Sequence, residues 1–182
     1  MSSCNYNCDE NLGAYIENDC QLEIPGGSNQ ALFLECGHTI TNPSSYSQVH
    51  ANILSGKAKL IGGASFDIPQ ASPNKKASKV PCRTDSLLNY SRTINYYNPN
   101  VSQDNSVFHN ILFSGYKLAG VIIYLCGAET PQVIWINAPL IFSGSLVVPA
   151  TIDDAMYYGG VGEYKDIDDP LMYDAPPGIF SA

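Results

Sequence analysis

The sequence predicts a mainly β fold: an antiparallel β-sandwich or partial barrel with one or two short flanking α-helices. Apolar runs such as residues 31–36 and 118–126 have the length of strands, and turn-forming Gly, Pro and Asn residues separate them. Residues 84–97 alternate between two faces, which is the period of a strand. Only short segments space their apolar residues as a helix does.

The first part of the chain is predicted to hold an arm and two strands. Residues 1–11 are polar and irregular, which is typical of an N-terminal arm. Residues 14–24 alternate loosely and predict a strand that stops at the turn signal Pro25-Gly26-Gly27. Residues 31–36 form a compact apolar run and predict the second strand.

A short helix is predicted after Asn42-Pro43. Ser44 or Ser45 can cap its N-terminus, and Gly56 ends it. Four apolar side chains then fall near one helical face: Tyr46, Val49, Ile53 and Leu54.

A strand and a long exposed loop are predicted next. Residues 58–68 have β character, and the pair Gly62-Gly63 within them indicates a bulge or a hairpin turn. Residues 69–81 are rich in Pro, Ser, Ala and Lys, and predict an exposed loop between two halves of one fold.

Residues 84–97 predict a long strand with one mostly polar face, which suits an antiparallel sheet with one solvated side. The other face carries Leu88, Tyr90, Arg92, Ile94 and Tyr96.

A second short helix is predicted between this strand and Gly115. Asp104 or Asn105 is predicted to cap it. Its apolar residues are Val107, Phe108, Ile111 and Leu112.

The remaining residues predict an antiparallel meander and a tail. Residues 117–126 predict a central strand, and residues 132–136 are its hairpin partner. The strand after Pro139 runs to residue 148, and a last strand, residues 156–164, is weakened by its glycines. The tail, residues 165–182, has three side chains that can anchor it: Tyr173, Ile179 and Phe180.

The composition predicts a single structural domain, residues 1–182, whose surface is partly hidden in an assembly. Charged residues make up only 14% of the chain, well below the usual quarter. The 12 Tyr residues suit contact surfaces, because Tyr combines a rigid apolar ring with a polar tip. An extracellular domain, which can also be poor in charge, is the alternative.

The charge balance argues against tight nucleic-acid binding. The chain has 17 acidic and 9 basic residues, a formal net charge of −8, and phosphate contacts need clustered bases. The basic run at residues 75–79 is interpreted as a solvated loop. No secretory signal is recognisable at the N-terminus, and the apolar run 118–126 is too short to span a membrane. We therefore expect synthesis in the cytosol and no membrane partner.

Six cysteines are present, at positions 4, 8, 20, 36, 82 and 126. Free thiols are expected in a protein kept in the cytosol. Disulfides and a zinc site are the alternatives, although the chain lacks the CxxC pair that zinc frameworks usually show.

Catalytic motifs are absent from the sequence: it has no GxSxG, P-loop, GxGxxG or HExxH pattern. We predict no enzymatic activity and no cofactor. His109 is interpreted as a helix-surface or packing residue. Asp166, Asp168 and Asp169 are weak candidates for a calcium site, and a solvated acidic loop is the favoured interpretation.

The second half of the chain resembles virion structural proteins of tailed phages of the kind found in Bacteroidota. The residues that carry the resemblance are Ser91-Arg92-Thr93, the helix at 105–113, the strand at 120–126, Val147-Val148-Pro149-Ala150, Asp168-Asp169-Pro170 and residues 173–180. Within that group the size, the β-sandwich with a flanking helix and the acidic balance look like a tail-tube protein.

The resemblance implies hexameric rings that stack around a DNA channel, with DNA passing as cargo without specific binding. Partners would be copies of the chain and other virion proteins, in a virion assembled in the host cytoplasm. The polar face of 84–97 would line the lumen, with negative charge keeping DNA from sticking. The predicted assembly residues are Cys4, Cys8, Lys75, Lys76, Tyr90, Arg92, Tyr173, Ile179 and Phe180.

Two alternatives remain open from the sequence. One is a capsid decoration or head–tail joining protein. The other, from a different class, is a carbohydrate- or receptor-binding β-sandwich module, which the many Tyr and Asn residues favour.

Overall fold

A computed structural model describes residues 28–77, 86–125, 131–150, 154–166 and 168–180. The elements in chain order are β1 (Ser28–Leu34), α1 (Tyr46–Leu54), β2 (Ala58–Asp67), β3 (Ser72–Lys76), β4 (Ser86–Asn98), α2 (Gln103–Phe113), β5 (Lys117–Leu118), β6 (Gly120–Leu125), β7 (Gln132–Ile136), β8 (Leu140–Val147), β9 (Tyr157–Asp166) and β10 (Leu171–Asp174). The predicted arm 1–11 and the predicted strand 14–24 lie outside the described residues.

The strands form one antiparallel sheet in the order β10-β7-β6-β1-β2-β4-β9-β8-β5, with β3 added to β4. This confirms the predicted mainly β fold with two short flanking helices. The sheet curls but does not close into a barrel. β5 pairs with β8 in one section of the sheet and β6 pairs with β1 in the other, yet only Ala119 separates β5 from β6 along the chain. The two sections must therefore approach each other at this point. Curling brings the β1-β2-β6 section opposite the β4-β9-β8 section.

The inner core fills the space inside the curled sheet. Phe33 on β1 lies near its centre, with ring centroids 5.4 Å from Phe142 and 6.0 Å from Phe66. Phe108 and Leu112 of α2 enter the same core and are fully buried. Helix α2 therefore covers the inner core as part of one hydrophobic cluster with the strands.

The outer cluster lies on the reverse side of β1, β6 and β7. Leu32 and Leu34 alternate with Ala31 and Phe33, so β1 is buried on both faces. Val49 of α1 covers part of this side. The C-terminal tail covers another part, and the Phe180 ring stacks on Tyr124 at 5.2 Å. This confirms Phe180 as an anchor of the tail.

Both predicted helices are present, but their details differ. Ser45 is the N-cap residue of α1, although its side chain makes no capping hydrogen bond, and Leu54 is 74% exposed. The apolar face of α1 is thus narrower than predicted. Ser102, not Asp104 or Asn105, caps α2: its hydroxyl accepts a hydrogen bond from the Asn105 N–H at 3.2 Å. Asn105 belongs to the helix, and its side chain is buried.

The predicted loop 69–81 is wrong in part. Ser72–Lys76 pairs with Ser86–Ser91 as the edge strand β3, although its residues are mostly exposed. An edge strand can be polar because only one of its sides is paired. Gly63 has φ +65° and lies where the β1–β2 register shifts, so the bulge predicted there is confirmed.

Candidate assembly surface

We call the convex side of β3, β4, β9 and β8 the polar face. No described element of the chain covers it. Its register is continuous across strands: Ser91 lies opposite Ser72 on β3 and Lys165 on β9, and Val161 lies between Asn95 and Ser143. Its small polar side chains are Ser72, Asn74, Asn89, Ser91, Thr93, Asn95, Ser143 and Ser145.

Hydrogen bonds along the polar face fix some of these side chains. The Asn74 amide donates to Asn89 Oδ1 at 2.8 Å and to Ser91 Oγ at 2.7 Å. The Asn95 amide donates to Asp67 Oδ2 at 3.1 Å. The face is therefore an ordered polar surface, as the alternation of residues 84–97 predicts.

The charges in register with the polar face are not predominantly acidic. Asp67 and Glu163 are acidic, and Lys75, Lys117 and Lys165 are basic. The excess of acidic residues is therefore not concentrated on this face, which differs from the acidic lining expected for it.

Exposed apolar side chains gather where β8 leads into β9. Leu146 is 43%, Val148 66% and Met156 47% exposed. Nearby, on the polar face, the rings of Tyr97 and Tyr157 lie 4.5 Å apart between centroids. Exposed apolar groups at one end of a sheet are typical of contact surfaces.

β3, β10 and the two-residue β5 each pair with a single strand among the described residues, and residues 142–147 of β8 pair only with β9. β3 pairs only with β4 and carries the exposed Lys75 and Lys76. β10 pairs only with β7 and carries Leu171 and Met172, which are 62% and 58% exposed. Unpaired edges offer backbone N–H and C=O groups to another chain.

Arg92 and Tyr90, both predicted assembly residues, lie together near one end of the curled sheet. Arg92 is buried; its Nη2 contacts Asp169 Oδ1 at 2.7 Å, and its guanidinium lies 5.2 Å from the Tyr90 ring centroid. Tyr164 is its cross-strand neighbour, and burial raises the pKa of Tyr164 to about 12 although Arg92 opposes the rise. Arg92 Nε and the Tyr164 hydroxyl are buried without a hydrogen-bond partner. The bridge ties the segment between β9 and β10 to β4.

The acidic candidates for a metal site do not form one in the part of the chain that the structure describes. No group of three or more His, Cys, Asp or Glu side chains with metal-binding geometry occurs among those residues. Asp169 is 89% exposed and pairs with Arg92, and Asp168 is exposed. Across the same residues, neither helix is long and apolar enough to cross a membrane.

A buried polar chain links α2 to β4, and the sequence did not predict it. His109 Nδ1 lies 2.9 Å from the Asn105 carbonyl oxygen, which can only accept, so Nδ1 carries the proton. His109 Nε2 then accepts from the Tyr96 hydroxyl at 2.8 Å, and that oxygen accepts from the Asn98 amide at 2.8 Å. The imidazole stacks on Tyr158 at 3.7 Å.

Burial keeps His109 neutral. Desolvation lowers its pKa to about 4, and the hydrogen bond that Nδ1–H donates to the Asn105 carbonyl only partly opposes this. The interpretation of His109 as a packing residue is confirmed, and its role in a polar network is added. The signal in the sequence was the pair of polar residues Asn105 and His109, four apart on the apolar side of a helix.

The other predicted assembly residues fall in different places. Tyr173 and Ile179 are half-buried against the outer cluster, and Phe180 belongs to it. Cys4 and Cys8 lie outside the described residues. Cys36 is disulfide-bonded, so the expectation of free thiols is wrong at this position; its partner is not among the described residues.

Comparison with protein-family models finds no match to the chain, and comparison with curated proteins finds none either. Within the described residues, the fold and the surface define an antiparallel β protein that has an uncovered polar face and unpaired strand edges at β3, β10 and β5.

Proposed function

We propose that the protein is a structural subunit of a tailed-phage virion, with the tail-tube subunit as the specific role. The polar face carries the proposal. It is broad, hydrogen-bonded and rich in Ser, Asn and Thr. The described residues of this face include no cluster of bases, so it has no site for tight phosphate binding. Such a surface suits the wall of a channel through which DNA passes without sticking.

The edges and the apolar end of the sheet support assembly. β3 and β10 have unpaired sides among the described strands, and Leu146, Val148 and Met156 are exposed near the β8–β9 connection. In an isolated monomer, open edges and apolar patches favour aggregation. Neighbouring copies in a ring would cover both. The proposal gives the chain no catalytic role and requires no cofactor.

Negative-stain electron microscopy of the purified protein, with light scattering after size exclusion, tests the proposal. We expect rings or hollow tubes of about ten nanometres, a width set by several small domains around a closed ring. A capsid decoration protein would instead bind to capsids, and a joining protein would form rings that do not stack. A chain that stays monomeric at high concentration contradicts all three virion roles.

The carbohydrate-binding alternative is favoured by one observation, the Tyr97–Tyr157 pair at 4.5 Å on the polar face. Exposed aromatic rings beside amide side chains suit stacking against sugars, since a ring offers an apolar surface next to polar groups. Glycan-array binding by the wild-type chain tests it. Loss of binding in Tyr97→Ala, but not in the control Tyr46→Ala on α1, would support this function over a tube.

A further inference from the structure

Two of the unpaired strand edges, β3 and β10, carry opposite charge. β3 has Lys75 and Lys76, and the acid-free stretch that follows adds Lys79 and Arg83 in sequence. β10 ends in Asp174 and follows Asp168 and Asp169; the chain after Lys165 contains no base. In a chain of net charge −8 with only 9 bases, this is a marked separation of charge along the sequence.

The charges decide which edges can meet. A contact between two β3 edges would join two positively charged segments, and a contact between two β10 edges would join two negatively charged segments, so charge repulsion opposes both. Lys and Pro73 on β3 also resist unselective strand pairing. A β3–β10 contact between copies instead joins a positively charged edge to a negatively charged one. It would also cover Leu171 and Met172, which are more than half exposed.

We propose that β3 of one copy pairs with β10 of a second copy, joining their sheets head to tail. The proposal rests on the self-assembly proposed above and names the surfaces that perform it. A contact between two different surfaces of identical chains is heterologous, and heterologous contacts build closed rings or open filaments rather than isolated dimers.

A charge exchange tests this pairing. The variants Lys75→Glu/Lys76→Glu and Asp168→Lys/Asp174→Lys each place like charges across the contact, so each alone should self-associate about tenfold or more weakly than wild type. An equimolar mixture of the two restores opposite charges at every contact, as does one chain carrying all four changes. Both should assemble again. Sedimentation velocity at fixed ionic strength measures all four samples.

The matched control for Lys75→Glu/Lys76→Glu is Lys57→Glu/Lys59→Glu, which makes the same change in net charge away from both edges and should assemble like wild type. Circular dichroism establishes that each variant is folded; Asp169 is left unchanged because it holds Arg92. If wild type assembles and either edge variant alone does so equally well, or the mixture stays dissociated, the pairing is wrong and the proposed function stands. Unaffected assembly of Lys75→Glu/Lys76→Glu would also result if another segment of the same chain covers β3. A wild-type chain that stays monomeric overturns both proposals.

Discussion

The two sections of the curled sheet differ in how many of their faces are covered. β1 and β6 are buried on both sides, by the inner core and by the outer cluster. β4 and β9 bury one side only, and their other side forms the polar face. The first section therefore serves stability, whereas the second combines stability on one side with a surface available for function on the other.

The largest loss of stability should come from a substitution in the section of the sheet that is buried on both faces. Phe33→Ala removes a fully buried ring that contacts Phe66, Tyr96, Phe108 and Phe142, and we expect a loss of about 3–5 kcal/mol in the free energy of unfolding. Urea denaturation measures it. Leu54→Ala, at a largely exposed position, is the control and should stay within about 0.5 kcal/mol. Equal losses would contradict the assignment of the core.

The next largest effect should be the pH dependence of the stability, to which His109 contributes. Its pKa is about 4 in the folded protein, against 6.5 for an unperturbed His. The unfolded chain therefore binds a proton first as pH falls. The stability that neutral His109 contributes is fully present above pH 6.5 and is lost as pH falls to about 4. The complete loss amounts to about 3 kcal/mol.

His109→Gln tests this, because Gln does not titrate. Urea midpoints of wild type and variant are compared at several pH values between 7 and 4.5, and the difference between the two proteins should shrink as the pH falls. His50→Gln on α1 serves as the control. A constant difference between wild type and His109→Gln would show that His109 does not titrate with a lowered pKa.

Substitutions of the β9 glycines should give a smaller loss of stability, and the loss should differ between the two sides of this strand. A Cβ on Gly162 would lie 2.6 Å from the Phe142 ring in the inner core, so Gly162→Ala should cost about 1–3 kcal/mol. A Cβ on Gly159, on the polar face, would lie farther from its nearest neighbour, the Tyr157 ring at 3.0 Å. Gly159→Ala should therefore cost less, and thermal unfolding of the two variants checks the order.

These glycines show where sequence reasoning failed. Their composition predicts a weakened last strand, whereas in the structure Gly160 and Gly162 leave room for the rings of Phe113 and Phe142. That need depends on which residues face each other across the sheet, and local pattern does not contain it. The same holds for the chain from Asn98 through Tyr96 to His109, whose members meet only through tertiary packing.

Local pattern predicted the features that local physics controls. The alternation of residues 84–97 predicts the strand and its polar face, and Gly56 and Gly115 with positive φ end both helices. The single strand predicted over 117–126 is divided at Ala119 into β5 and β6, which pair with different strands. β3 was missed because its Pro- and Lys-rich composition is also typical of a loop, and only pairing with β4 makes it a strand. The pairing of Arg92 with Asp169, 77 residues away, had no signal of its own.

The smallest effect on stability should come from the polar face. Asn74→Ala removes the hydrogen bonds to Asn89 and Ser91, and we expect a loss of about 1 kcal/mol, because partly exposed groups can bond to water instead. Urea denaturation measures this, and Thr93→Ala is a control on the same face. If the polar face is functional, substitutions on it should alter assembly or DNA passage and leave the stability nearly unchanged. Phe33→Ala should instead lower the stability. A loss of 3 kcal/mol or more, as large as that from a core ring, would mean that this side of β4 supports the fold as its buried side does.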